Sequence, residues 1–212
     1  MPKTRVTNEE TRGGRERLLE AALLLFSIKG FAATSVRNIL AEAKVTAPVL
    51  YYHFGNKEGL FQALVQEGLR EHERAIDAAI AGPGSATERI RAFCSAMAIV
   101  KRKYVALAPT AEAALAGGQA ILPIDELRQV VRETHRRLEE LVALGVRSGE
   151  LRPCREATVV LVLLGCVDFS TRMTRLGLNE RDETTTLDRM LDEVLAGLTG
   201  PTVSRTSPDC MP

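Results

Sequence analysis

Thr34-Ser35-Val36-Arg37-Asn38-Ile39-Leu40-Ala41-Glu42-Ala43-Lys44-Val45-Thr46-Ala47-Pro48-Val49-Leu50-Tyr51-Tyr52-His53-Phe54-Gly55-Asn56-Lys57-Glu58-Gly59-Leu60 decides the fold of this 212-residue chain. Its punctuation predicts two short helices across a tight turn, then the capped start of a long one. Thr34 or Ser35 can N-cap the first short helix, with Val36, Ile39 and Leu40 facing inward. That helix runs out near Ala43-Lys44, and Val45 plugs the turn. Thr46 caps the next helix, where Pro48 falls in the first turn and its missing N–H costs nothing. Helices this short are marginal alone and must pack on something larger. The second one displays Thr, Tyr, Tyr and His beside small residues, as a helix-turn-helix offers a reading element to the DNA major groove.

Working outward, residues 1–11 read as a flexible arm carrying Lys3 and Arg5, and Gly13-Gly14 is expected to break any helix. From Arg15, Leu18, Ala22, Leu25 and Phe26 recur at helical spacing. Gly30 then serves as a C-terminal cap, and Phe31 can fold back onto the helix. Asn56 caps a long helix from Lys57 to about Ala81, ended by Gly82-Pro83-Gly84. Ser85-Ala86-Thr87-Glu88 is a capping box for the next, which extends to about Leu107. Further helices are expected near Pro109–Ala116, then at about 124–148, 155–176 and 185–198, with a Gly117-Gly118 break and a disordered tail over 201–212. The expectation is an all-α chain of about nine helices. A helix-turn-helix domain would span 12–72 and a ligand-binding and dimerisation domain 73–200.

Hydrophobic content of 45% and charged content of 26% are ordinary for a soluble globular protein. Nine basic and six acidic residues through Glu58 give that segment +3, against a whole-chain net of +1, so a mildly basic head precedes a mildly acidic body. Cys94, Cys154, Cys166 and Cys210 show no CxxC and read as reduced thiols, with a redox switch as the sharper alternative. No signal-peptide pattern opens the chain, and the run from Val159 to Val167 is short of the ~20 residues of a membrane span. A cytoplasmic location is expected. No nucleophile–base pair, phosphate-cradling glycine loop or metal-ligand spacing is visible, so no enzyme activity, cofactor or metal is expected.

The run from Thr34 to Leu60, preceded by Leu19-Glu20-Ala21-Ala22-Leu23-Leu24-Leu25-Phe26 and Gly30-Phe31, resembles the DNA-binding domain of the TetR/AcrR family of bacterial transcriptional regulators. Leu50-Tyr51-Tyr52-His53-Phe54-Gly55-Asn56-Lys57-Glu58-Gly59-Leu60 is its most specific part. The resemblance implies a homodimer on a pseudo-palindromic operator, with recognition helices ~34–36 Å apart. It also implies repression relieved by a small-molecule effector. By position, Ser35 is implied to touch phosphate and Arg37 to reach a guanine edge. Thr46, Ala47, Pro48, Val49 and Tyr51 would line the groove-facing surface, while Tyr52, His53 and Lys57 would touch the DNA backbone. Leu50 and Phe54 would be core. Two departures stand out. Lys44 occupies a turn position where the family usually has Gly, at a cost of roughly 1 kcal/mol if φ is positive there. Ala47-Pro48-Val49 offers no amide or guanidinium, so direct readout by this helix reduces to methyl contacts and the Tyr51 hydroxyl, with Arg37 and DNA shape doing more.

In the body, Phe93, Met97 and Tyr104 share helical spacing, as do Cys166, Phe169 and Met173. Such stripes are either core or the lining of a cavity for a largely apolar effector. Leu187, Leu191, Val194 and Leu198, with Val160, Leu163, Leu164 and Val167, are expected to meet a partner in a four-helix dimer interface. Asp168 either pairs across that interface or touches a ligand. The second functional reading is a helical small-molecule-binding protein with weak or non-specific DNA binding.

Overall fold

The structure, a computed structural model, describes residues 8–115, 124–178 and 183–199. These form nine α-helices and one 3-10 turn, with no strand among the described residues: α1 Asn8–Ala33, α2 Val36–Ala43, α3 Ala47–Phe54, α4 Lys57–Ala81, α5 Ala86–Lys103, the 3-10 turn Val105–Leu107, α6 Ala108–Leu115, α7 Ile124–Arg147, α8 Glu156–Arg175 and α9 Glu183–Thr199. The Gly117-Gly118 break, the tail 201–212 and Cys210 lie outside the described residues, as do residues 1–7 of the arm. The chain divides into two compact units, Met1–Ala75 with Ile99–Glu133, and Ile76–Ala98 with Thr134–Pro212.

In the first unit, α1 packs on α2 and α3. Leu18, Ala22, Phe26, Ile39, Leu50, Leu60 and Phe61 are buried at its centre. Phe31 turns back as its spacing suggested, and its ring lies 5.3 Å from Phe26 and 4.9 Å from Phe61. The fold-back needs Gly30, whose φ of 77° and ψ of 163° fall in a region that only glycine occupies readily. The expected break at Gly13-Gly14 is corrected: α1 runs through both. A Cβ on Gly14 would sit 3.0 Å from the Val49 side chain, so this glycine admits α3 close to α1. Packing there outweighs a propensity penalty of about 1 kcal/mol per glycine.

The second unit buries Ile90, Phe93, Cys94 and Met97 of α5 with Leu138, Leu141 and Val142 of α7 and the inner faces of α8 and α9. The Ser85–Glu88 capping box forms as read, each partner taking the other's backbone N–H, at 2.8 and 3.2 Å. By length and composition alone α8 could cross a membrane, which corrects the sequence estimate of its apolar extent. Its Val159, Val160, Leu163, Leu164, Cys166 and Val167 instead form part of this core. A second correction concerns the expected dimer stripes. Val160, Leu163, Leu164, Val167, Leu187, Leu191 and Leu198 are all buried within the unit, and Val194 packs against the same core. Large apolar residues left exposed on α8 are Leu161, Val162 and Phe169.

One tie closes this unit at its polar edge. The Glu150 carboxylate accepts the backbone N–H groups of Ala86 and Thr87, both at 3.1 Å, so the loop after α7 caps α5. These hydrogen bonds, helped by the Ser148 hydroxyl, hold the Glu150 carboxyl below its ordinary value of 4.5. A carboxyl lowered in the folded state contributes stability above its unfolded pKa and loses it as pH falls through the folded value. The melting-temperature gap between wild type and Glu150→Gln is therefore expected to be full near neutrality and to close as the pH drops below about 4.5. A gap constant down to pH 3 would show that the carboxylate charge is not what caps α5.

Candidate nucleic-acid interface

The short helices owe their ends to local chemistry. Ser35, not Thr34, caps α2, its Oγ accepting the Asn38 N–H at 3.2 Å while Asn38 Oδ1 accepts the Ser35 N–H at 3.3 Å. Thr34 is buried, and its hydroxyl donates to the Gly30 carbonyl at 2.7 Å. Lys44 ends α2 with φ 53° and ψ 46°, and no other non-glycine residue described has a positive φ. The turn thus keeps a left-handed residue without a glycine to supply it. Thr46 sits at the α3 N-cap with extended backbone, but its side chain makes no capping bond. Thr46 thus holds the N-cap position expected from the sequence without the capping bond, and the residue is exposed.

The α3–α4 junction is tighter than the sequence alone revealed. Gly55 closes α3 with φ 73°, and Asn56 Oδ1 accepts the Gly59 N–H at 2.7 Å, capping α4 as expected. A Cβ on Gly59 would lie 2.0 Å from the Phe54 carbonyl oxygen. A glycine three residues past a cap, inside a helix, was the visible sign of this contact. Lys57 is likewise engaged: its ammonium donates to the carbonyls of Phe31 at 3.0 Å and Thr34 at 3.1 Å, and lies 4.3 Å from the Phe31 ring centroid. Two of its three N–H donors thus bind the α1–α2 connection to the start of α4.

Of the residues expected at DNA, the structure leaves Ser35, Arg37, Thr46, Pro48, Tyr51 and Tyr52 exposed, and Ala47, Val49, His53 and Lys57 half-buried. All ten belong to the first unit, on α2, α3 and their flanks. Tyr51 and Tyr52 are 56% and 77% exposed, too open for packing aromatics. The Tyr52 ring stands edge-on to His53 at 5.0 Å. Val49 turns toward Gly14, while Leu50 is fully buried and Phe54 packs against the core beneath the Arg15 guanidinium.

The proposed effector residues separate. Phe93, Met97 and Cys166 are buried in the second unit's core, Phe169 is exposed and Met173 half-buried. Tyr104 belongs to the first unit, where its ring lies against Gly68 and its hydroxyl donates to Glu71 at 2.9 Å. Burial pushes the Glu71 carboxyl up, but hydrogen bonds from Lys103 and Tyr104 bring it below its ordinary value. Burial also raises the Cys94 thiol to about 12, which disfavours the reactive thiolate. Cys94, Cys154 and Cys166 are free thiols, and no metal-holding cluster occurs among the described residues.

Two short helices across a left-handed turn, backed by α1 and held by a long fourth helix, define a helix-turn-helix protein. Residues 18–64 match the family model described as bacterial regulatory proteins, tetR family. Over residues 18–64, within the first unit, the chain is therefore similar to the TetR family of bacterial regulatory proteins. It is 27% identical over 146 residues to the HTH-type transcriptional regulator HbdR of Aromatoleum sp. strain CIB, covering 67% of this chain and 62% of that one. It is 37% identical over 67 residues to the HTH-type transcriptional regulator UidR of Escherichia coli K12, covering 32% and 33%. The matches thus span less than two thirds of those relatives' lengths. Among solved structures, the ketosteroid transcriptional regulator KstR2 of Mycobacterium tuberculosis superposes with a TM-score of 0.72 at 22% identity, over 88% of this chain and 95% of that one, a likeness of fold.

Two substitutions at this site are expected to act with opposite sign. Lys44→Gly removes the left-handed strain and should raise stability by about 1 kcal/mol in chemical denaturation. Gly59→Ala sets a methyl against a backbone oxygen that no rotamer change relieves, and should cost roughly 1–3 kcal/mol. A neutral Gly59→Ala would mean that α3 and α4 are not held at this spacing.

Proposed function

We propose that this protein is a DNA-binding transcriptional regulator, a cytoplasmic homodimer that represses from a pseudo-palindromic operator and is released by a largely apolar small molecule. The observation that carries the reading is the exposed α2–α3 surface, where two open tyrosines, Arg37 and Thr46 project from short helices that the rest of the unit braces. Major-groove entry by such a helix pair is the standard geometry of the motif. Ser35, Tyr52 and His53 serve phosphate, Arg37 reads a guanine edge, and Thr46, Ala47, Pro48 and Tyr51 face the groove, whereas Val49, turned to Gly14, supports α3 from behind. Lys57 mainly braces the site through its two carbonyl bonds and has one donor left for a phosphate.

The second copy is assigned to the exposed side of α8, where Leu161, Val162 and Phe169 flank the small Gly165 and Asp168 lies at the same level. Exposed apolar side chains clustered on one helix mark an association surface. Effector control would be a population shift in which the ligand favours a dimer whose recognition helices no longer match the operator. A coupling of ~1–3 kcal/mol, a 5–150-fold change in affinity, suffices. The continuous helix α4, from Lys57 to Ala81, is the proposed lever. Of the expected effector contacts, Phe93, Met97, Cys166 and Met173 share the second unit and are kept as the proposed ones, while Tyr104 falls in the first unit and Phe169 lies on the proposed dimer face.

The weak base-reading set on α3 favours one competing reading, a ligand-binding protein that holds DNA only by charge. The two part in an electrophoretic shift with fragments of the neighbouring promoters. A regulator keeps a specific complex under excess competitor DNA, and Arg37→Ala lowers its preference for the operator by roughly tenfold or more, the worth of a bidentate base contact. Binding abolished by competitor would leave only the electrostatic reading. Separately, Leu161→Glu is expected to convert the dimer to a folded monomer in sedimentation and to weaken operator binding. An unchanged dimer would move the interface off this face of α8.

A further inference from the structure

We infer that the operator half-site presents thymine 5-methyl groups to the first turn of α3, and that Pro48, Ala47 and the Thr46 methyl read them. This rests on the proposed operator binding and narrows it to a chemical class of base pair. From Thr46 to Gly55 the chain has no amide, guanidinium or carboxylate side chain. It therefore cannot make the bidentate contacts that identify guanine or adenine, nor accept from the cytosine amino group. What it exposes at its leading end is a proline ring and a threonine, with a half-buried alanine between them. The threonine side chain is free of capping duty, because no hydrogen bond ties it to the α3 N-terminus. Val49, the remaining apolar candidate, is turned to Gly14 of α1 and supports the helix from behind. Tyr51 and Tyr52 add hydroxyl-bearing rings further along.

In the major groove the only apolar group that any base pair offers is the 5-methyl of thymine. An apolar leading edge gains from that methyl and leaves a polar base edge in the same place without a partner. Cytosine amino groups and guanine O6 would lose water against Pro48 and receive nothing in return. Thymine under α3 and guanine under Arg37 of α2 would then divide the half-site between two helices.

The test uses the full-length protein and duplexes enriched from a random pool in the presence of competitor DNA. Each thymine of the enriched sequence is replaced in turn by deoxyuridine, which removes the methyl and keeps the pairing. The expected result is a drop of about fourfold in affinity at one or more thymines in each half-site, the worth of one buried methyl-sized group. In Pro48→Ser, with folding checked by circular dichroism and melting, the penalty at the matching thymine should shrink to less than about twofold. That double comparison separates contact from any effect of the methyl on DNA shape. An enriched sequence that survives competitor yet tolerates deoxyuridine everywhere would overturn the thymine inference and leave the regulator intact. A penalty that persists unchanged in both Pro48→Ser and Ala47→Gly would also overturn it, in favour of shape. No enriched sequence at all would defeat both this inference and the regulator reading.

Discussion

The carbonyl oxygen of Phe54 lies where a side chain on residue 59 would begin, 2.0 Å from the position of the missing Cβ. That contact sets how closely the end of α3 meets the start of α4, and the rest of the first unit is arranged around it. Asn56 takes the Gly59 N–H, Lys57 reaches back to the carbonyls of Phe31 and Thr34, and Phe61 follows one turn later into the aromatic core. The close approach itself requires that the backbone at 59 carry no side chain. An eight-residue helix has little stability of its own, so its aim is set by such neighbours.

The same junction explains how a weakly self-supporting helix can present open side chains. Leu50 is fully buried and Val49 rests on Gly14, which anchors one side of α3 to α1 and frees the other. Burial of the anchoring side is what allows Tyr51 and Tyr52 to stand in solvent without loosening the helix. Among the described residues Lys44, in the turn between the two helices, is the non-glycine residue with a left-handed backbone. The second unit uses a comparable device, with Glu150 capping α5 and the Arg152 N–H donating to the Leu198 carbonyl at 2.8 Å, so loops and helix ends brace one another.

Much of this was legible in the sequence because helix ends are local events. The Ser85–Glu88 box and the Asn56 cap each depend on residues within four positions of one another and were readable from spacing, while the question of a left-handed residue at Lys44 came from the family resemblance. Signals that depend on distant partners failed or stayed silent. Gly13-Gly14 looked like a helix break because the Val49 side chain that approaches Gly14 is 35 residues away in sequence. Lys57 looked free for phosphate because nothing in its neighbourhood named the two carbonyls that hold it. Tyr104 shared a helical stripe with Phe93 and Met97, yet it falls in the other unit beside Gly68 and Glu71.

Helix α8 shows the division most clearly. Val160, Leu163, Leu164 and Val167 on one side and Leu161, Val162 and Phe169 on the other are all apolar, and composition cannot rank the two faces. The sequence by itself determined the all-α architecture and the two short helices across a tight turn, because caps, glycines and periodicity are short-range. The family likeness rests on the resemblance of the run from Thr34 to Leu60. Tertiary structure alone decided which apolar face is core, which glycines are clearances and which side chains of α2 and α3 stay exposed. Those outcomes follow from what each helix meets in space, and a linear pattern does not carry that information.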